Sequence, residues 1–142
     1  MDKKKDLADK LRSSGLRPTK QRVKLAEYLF NRDKTFHFTV EKLDKAINKK
    51  NSEDKIALAT IYNTVHAFKK AGHLKEILLK EGKNYFDTNT SSHHHFYDEI
   101  NNELTDIDSN KIELKKFPTP PKGKSIKNVN VIINIDNDNQ NH

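Results

Sequence analysis

An α+β architecture in two parts is what the sequence predicts, and three observations predict it. Up to Gly72 the chain holds four segments whose apolar residues recur every three or four positions, the period of a helix packed on one side. From Leu74 onward the pattern changes to short runs with strand character, the last of them alternating. The charge also changes sign. Residues 1–83 carry 21 Lys+Arg and 11 Asp+Glu, a net of +10, and residues 84–142 carry 6 and 9, a net of −3.

Each element follows from local chemistry. Leu7, Ala8 and Leu11 form a thin stripe over residues 3–14, and Gly15 is a natural stop. Thr19 caps a second helix carrying Val23, Leu25, Ala26, Tyr28 and Leu29, ending near Asn31. Thr39 caps a third with Val40, Leu43 and Ile47, followed by the polar loop 48–55. The fourth is the clearest: Leu58, Ile61, Val65 and Phe68 make one buried stripe that ends at Ala71 and Gly72. Its other face, with Ala59, Thr60, Asn63, Ala67 and Lys70 and with Tyr62 and His66 on the flank, is small and hydrogen-bonding, as suits a surface that approaches something closely. Strands are expected at 74–79 and 84–87, joined by Lys80-Glu81-Gly82-Lys83, whose glycine can take the positive φ of a tight hairpin. Beyond the polar hinge 88–92 lie strands at 93–98 and 103–107 and a short helix near 110–116. The segment Phe117-Pro118-Thr119-Pro120-Pro121 can be neither helical nor central in a sheet, and a last strand carries Val129, Val131, Ile133 and Ile135.

Three helices, a fourth and a hairpin in that order describe a winged helix-turn-helix, in which the fourth helix enters the major groove and the basic hairpin follows the backbone. The expected organisation is a winged-helix DNA-binding domain over 1–87, a hinge over 88–92, a small α/β dimerisation domain over 93–136, to which the family resemblance given below adds metal or haem sensing, and a disordered tail over 137–142. The second half is too small to stand easily alone, so pairing through its strands is expected.

Composition narrows the rest. Of 142 residues, 33% are hydrophobic and 33% charged, so the core is lean. Leu, Ile, Val and Phe still make up about a quarter of the chain, above the ~20% at which disorder becomes the default. The absence of cysteine excludes disulfides, thiolate metal sites and cysteine nucleophiles. No run of 18 apolar residues and no charged-then-apolar leader is present, so a soluble, cytoplasmic protein without a membrane partner is expected. A basic half joined to a mildly acidic one suits a polyanion binder, although a Lys- and Asn-heavy composition gives the same balance.

His93-His94-His95 is the sharpest local feature. On a strand it places His93 and His95 on one face and His94 on the other. Two imidazoles on one face can share a metal, and Asp87 and Asp106 could add carboxylate oxygens. A His/Asp set without thiolate favours Zn, Fe(II) or Mn(II). An exposed polar run is the plainer reading of three histidines. No phosphate-binding glycine loop, Gly-x-Ser-x-Gly elbow or His-Glu-x-x-His helix occurs, so no enzyme is expected.

The strings Gly15-Leu16-Arg17-Pro18-Thr19-Lys20-Gln21-Arg22, Leu58-Ala59-Thr60-Ile61-Tyr62-Asn63-Thr64-Val65, and Asn84-Tyr85-Phe86-Asp87 followed by His93-His94-His95 resemble, in order, the opening motif, recognition helix and hinge of the Fur (ferric uptake regulator) family. Tyr62-Asn63-Thr64 in place of the commoner Tyr-Arg-Thr, and the lack of Cys-x-x-Cys, look like the family's iron response regulator (Irr) branch, which responds to haem. The resemblance implies a dimeric transcription regulator on A·T-rich double-stranded DNA. Arg17 and Lys20 would lie near phosphate or the minor groove, Thr60, Tyr62 and Asn63 would read the groove, and Lys70 is a candidate phosphate contact.

The same resemblance implies a hinge site for a divalent metal ion (Fe, Mn or Zn) made of His37, Asp87, His93, His95 and Asp106. Where haem is the ligand instead, His93, His94 and His95 are the axial candidates, since the branch's amino-terminal Cys-Pro motif cannot exist here. Asp98 and Asn101 occupy the positions of the usual Cys-x-x-Cys, so no structural zinc site of the four-cysteine kind is expected. A second site drawing on His94 and Glu113 is incomplete, because the family's further histidine falls near Val129. The alternatives are an Fe(II)/Mn(II)- or peroxide-responsive regulator of the same family and, from another class, a haem or metal carrier module.

Overall fold

The computed structural model describes residues 3–50, 53–79, 82, 84–91 and 93–138. Backbone contacts divide the chain into two compact units, Met1–Thr90 and Ser91–His142. Helices and sheets are both present, in an α+β arrangement.

The first unit contains α1 (Lys3–Ser13), α2 (Lys20–Phe30), β1 (His37–Phe38), α3 (Val40–Ile47), α4 (Leu58–Lys70), β2 (Lys75–Leu78) and β3 (Asn84–Asp87). Both threonine caps form as the sequence requires: Thr19 Oγ1 accepts the Arg22 N–H at 3.2 Å and Thr39 Oγ1 the Lys42 N–H at 3.1 Å. The helical stripes converge on one core, in which Leu11, Leu25, Leu29, Leu43, Ile61, Val65 and Phe68 are buried together with Phe38 and Phe86 from the sheet. Asn48 clasps the loop after α3. Its side chain donates to Asp44 Oδ1 and to the Ile56 carbonyl and accepts the Ile56 N–H, each at 2.7 Å, so the chain enters α4 at a set position.

The sheet of this unit has the order β1-β3-β2, antiparallel throughout. The two-residue strand β1 was not among the expected elements, because two residues show no periodicity. It sets His37 opposite Asp87 and Phe38 opposite Phe86. Mutual hydrogen bonds between Phe36 and Thr88 extend the pairing: Thr88 N–H donates to the Phe36 carbonyl at 3.0 Å, and Phe36 N–H to Thr88 Oγ1 at 2.8 Å. Gly82 has φ +70°, the left-handed conformation expected of the wing turn, whereas Lys80, Glu81 and Lys83 lie outside the described residues.

The second unit is a three-stranded sheet of order β5-β4-β6, made of β4 (His94–Asp98), β5 (Glu103–Ile107) and β6 (Ile132–Ile135). Strand β4 runs antiparallel to β5 and parallel to β6. The helix expected near 110–116 is not formed: a single 3-10 turn, Ser109–Lys111, gives way to extended backbone at Ile112. Ile112 and Leu114 are too sparse a stripe to bury a helix, and Phe117 precedes a proline that disfavours helical backbone. The last strand is shorter than its pattern, beginning after Val129 and Val131. Hinge residue Ser92 and tail residues 139–142 lie outside the described residues.

One contact in the first unit is sensitive to protons. Ser14 Oγ and His73 Nε2 are 2.7 Å apart and tie the end of α1 to the turn after α4, with the rings of Phe30 and Phe68 around the imidazole. Burial, and then the charge of Lys10, hold the His73 pKa below its ordinary 6.5. The folded state therefore favours the neutral ring, a contribution complete above pH 6.5 and lost as pH falls through the lowered folded value. Denaturant unfolding at about pH 8 and about pH 5 should show a smaller loss of stability for His73→Gln than for wild type; equal losses would remove His73 from this role.

Candidate functional site

Burial on one side of α4 dictates what the other side offers. Ile61, Thr64, Val65 and Phe68 are buried, which turns Ala59, Tyr62, Asn63, His66 and Lys70 outward, with Thr60 half-buried at the margin. Asn63 and Lys70 are exposed, and neither side chain has a partner among the described residues. They stand seven residues apart on the helix, roughly 10 Å along its axis. Lys69 is engaged instead, donating to Glu76 Oε1 on β2 at 2.6 Å. Arg17 and Lys20 are exposed where the chain enters α2, and the Arg17 carbonyl accepts a hydrogen bond from the Arg22 guanidinium at 3.2 Å.

Tyr62 is 38% exposed, and its ring stacks on His66 with centroids 6.4 Å apart and planes at 17°. Its hydroxyl donates to Glu41 Oε1 on α3 at 2.9 Å. That hydrogen bond, followed by the negative charge of Glu41, raises the phenol's pKa above its ordinary 10.0. Glu41 was absent from the sequence-derived candidates. It shares no motif with α4, and only the crossing of α3 and α4 brings the two together. A pocket of about 250 Å³ opens beside the pair, bounded by Thr39, His66, Asn84 and Phe86 among others.

The imidazole and carboxylate groups fall into one set per unit. In the first, His37 Nε2 lies 3.0 Å from Asp87 Oδ2. Asp87 is fully buried on the central strand β3, and its Oδ1 accepts the Asn89 N–H at 2.8 Å. A carboxylate removed from water in this way is tolerated only when paired and hydrogen-bonded.

The second set has a proton problem. His93 Nε2 and His95 Nε2 lie 3.0 Å and 3.2 Å from the same atom, Asp106 Oδ1, and the two rings are 4.3 Å apart. Both histidines are nearly fully buried. His93 Nδ1 is 2.7 Å from the Ser91 carbonyl, which can only accept, so this nitrogen carries the ring's proton. With the proton on Nδ1, Nε2 of the neutral ring can only accept, as a metal-ligating nitrogen does, so the set is capable of holding a metal ion. Ligand bonds of 2.0–2.2 Å set neighbouring donors about 2.8–3.6 Å apart around one ion, from octahedral to tetrahedral angles, and the two N···O distances, which equally suit ion pairs, fall in that range. The donor atoms of His93, His95 and Asp106 all lie within 4.8 Å of one another. Nitrogen and oxygen donors without thiolate fit Zn, Fe(II) or Mn(II).

His94 points elsewhere. Its Nδ1 accepts the Val131 N–H at 3.0 Å, so one ring nitrogen is spent on joining β6 to β4. Glu113 is exposed. At the positions expected to lack a zinc site, Asp98 closes a turn by itself, accepting from the backbone of Ile100 at 2.9 Å and Asn101 at 3.1 Å and from the Asn101 side chain at 2.9 Å.

Comparison with known proteins decides the family. The model of the ferric uptake regulator family matches residues 13–134. The chain belongs to that family. A peroxide-responsive repressor, PerR, of Staphylococcus epidermidis is 33% identical over 97 residues, which cover 68% of this chain and 62% of that protein. The chain thus matches about six tenths of the length of this curated relative. Among solved structures, the ferric uptake regulator of Vibrio cholerae has a TM-score of 0.68 at 21% identity, covering 91% of this chain and 98% of that one. That of Pseudomonas aeruginosa with manganese has 0.67 at 21%, covering 92% and 97%. Both share the fold of this family member.

Replacing Glu41 by Gln should bring the Tyr62 phenol back towards 10.0, read as the difference between tyrosinate absorbance titrations of the variant and of Tyr62→Phe. An unchanged titration would remove the carboxylate from control of Tyr62.

Proposed function

We propose that this family member is a dimeric transcription regulator that binds A·T-rich palindromic duplex DNA through α4 and the wing, its affinity governed by a divalent ion held by His37, Asp87, His93, His95 and Asp106. The observation that carries the reading is the pair of buried imidazoles sharing Asp106 Oδ1 with His93 Nδ1 locked to a carbonyl. A carbonyl behind a ligating imidazole is the usual way to hold its tautomer for metal. Five residues, 88–92, separate Asp87 from His93. An ion drawing on both sets would hold the hinge in one conformation, which is how occupancy would reach the DNA.

Reading by α4 rests on Asn63, which can make two hydrogen bonds to adenine, with Tyr62 against a thymine methyl and Thr60 at the margin. Arg17, Lys20 and Lys70 would supply phosphate contacts. Dimerisation is supported by an exposed apolar strip on one face of the second sheet, where Phe96 (36% exposed) pairs with Ile133 (38%) and Ile135 (39%) follows. An ion suits these residues better than haem, because His93 and His95 are both directed at one carboxylate and His94 has committed a nitrogen to Val131. Likeness to a peroxide-responsive repressor favours a redox-active ion such as Fe(II) over a haem-sensing, Irr-type role.

Duplexes selected from a randomised pool should bind more tightly with Mn(II) or Fe(II) added, and Asp106→Ala should weaken metal binding by at least about 10–100-fold. A response to haem alone, undiminished in Asp106→Ala, would overturn the ion in favour of haem.

Asn63→Ala should lose about 1–3 kcal/mol of discrimination at one base pair. Lys70→Ala should weaken all duplexes alike and flatten the plot of log K against log salt by about 0.9. Full sequence preference retained by the Asn63 variant would remove the assignment.

A further inference from the structure

The second unit keeps all its basic charge in one place. The six lysines of residues 84–142 are Lys111, Lys115, Lys116, Lys122, Lys124 and Lys127, with Glu113 the single acidic residue among residues 111–127, for a net of +5. Every other Asp, Glu, Lys or Arg of residues 91–142 is acidic. The six lysines are exposed, and none of their ammonium groups has a partner among the described residues. Seven carboxylates elsewhere in the unit could have neutralised them, yet the like charges stay together. Such a cluster repels itself unless a polyanion is brought to it.

The backbone suits that task. No helix or strand forms from Ile112 to Val131, and Pro118, Pro120 and Pro121 fix φ at their own positions and bias Phe117 and Thr119 towards extended backbone. Lys124 N–H donates to the Pro121 carbonyl at 2.9 Å, closing a tight turn in which Gly123 takes φ +80°, with Lys122 and Lys124 on its two sides. A chain stiffened in this way loses little conformational freedom when its lysines meet a ligand. The stretch contains no Arg, Asn or Gln, the side chains that read base edges through paired hydrogen bonds. Lysine acts as a point charge, which suits phosphate without sequence readout. Duplex DNA presents one such charge every ~1.7 Å of its axis.

We infer that residues 111–127 form a second nucleic-acid-binding arm, which grips the phosphate backbone of the duplex that α4 reads. The arm rests on the DNA-binding reading and adds the second unit to the footprint. It contributes affinity and salt dependence and leaves sequence preference to Asn63.

The test uses the full chain with Lys115, Lys116, Lys122 and Lys124 all changed to Gln, beside a charge-preserving variant with the same four changed to Arg. Duplex affinity is measured across a salt series. The Gln variant should keep its sequence preference, bind every duplex more weakly and show a slope of log K against log salt smaller by about 0.9 for each phosphate it no longer neutralises, while the Arg variant keeps the wild-type slope. Equal slopes for the Gln variant and wild type would overturn the arm and leave the DNA-binding reading intact. A wild type without salt-dependent duplex binding would overturn both. Loss of dimer in the Gln variant by sedimentation, or loss of binding to anionic phospholipid vesicles with the DNA slope unchanged, would assign the lysines to a different partner and overturn the arm.

Discussion

The pairing of imidazoles with carboxylates, Asp87 fully buried and Asp106 half-buried, is the constraint on which this molecule turns. Asp106 Oδ1 faces two imidazole nitrogens, and the ring proton of His93 is directed the other way, to Ser91. Asp87 is fully buried, accepts the Asn89 N–H and lies 3.0 Å from His37 Nε2. Hydrophobic packing of similar volume would have been at least as stable as such charged sets. These are the groups on which the proposed ion would draw.

The architecture of each unit serves to hold these groups still. In the first, a two-residue strand and the reciprocal Phe36–Thr88 hydrogen bonds register His37 against Asp87. In the second, β4 is central, so alternation directs His95 and Tyr97 to one face and Phe96 to the other. His94, on the Phe96 side, is used to fasten β6. Three adjacent histidines therefore have two roles, and the pleat of the strand separates them.

The outer face of α4 is built by a different rule. Its inner stripe contributes packing, and its outer residues are left with few internal partners, so that they can exchange water for a ligand. Tyr62 and Lys69 are held by carboxylates, those of Glu41 on α3 and Glu76 on β2. On the reading proposed above, a tethered ring would lose less freedom on binding than a free one.

Much of this was legible in the residues. The helical stripes, except for Leu58, which is 46% exposed at the start of α4 rather than buried, the threonine caps, the strand pattern and the positive φ of Gly82 depend on neighbours close in the chain, so local periodicity and backbone sterics determine them. The convergence of His93 and His95 on one face follows from the same two-residue period. What tertiary structure alone decided involves partners far apart in sequence: the strand His37–Phe38, the tie of Glu41 to Tyr62 and the joining of His94 to Val131. Nothing in a local window encodes these, because each arises where separate elements cross, and a lone side chain carries no mark of the surface that will meet it.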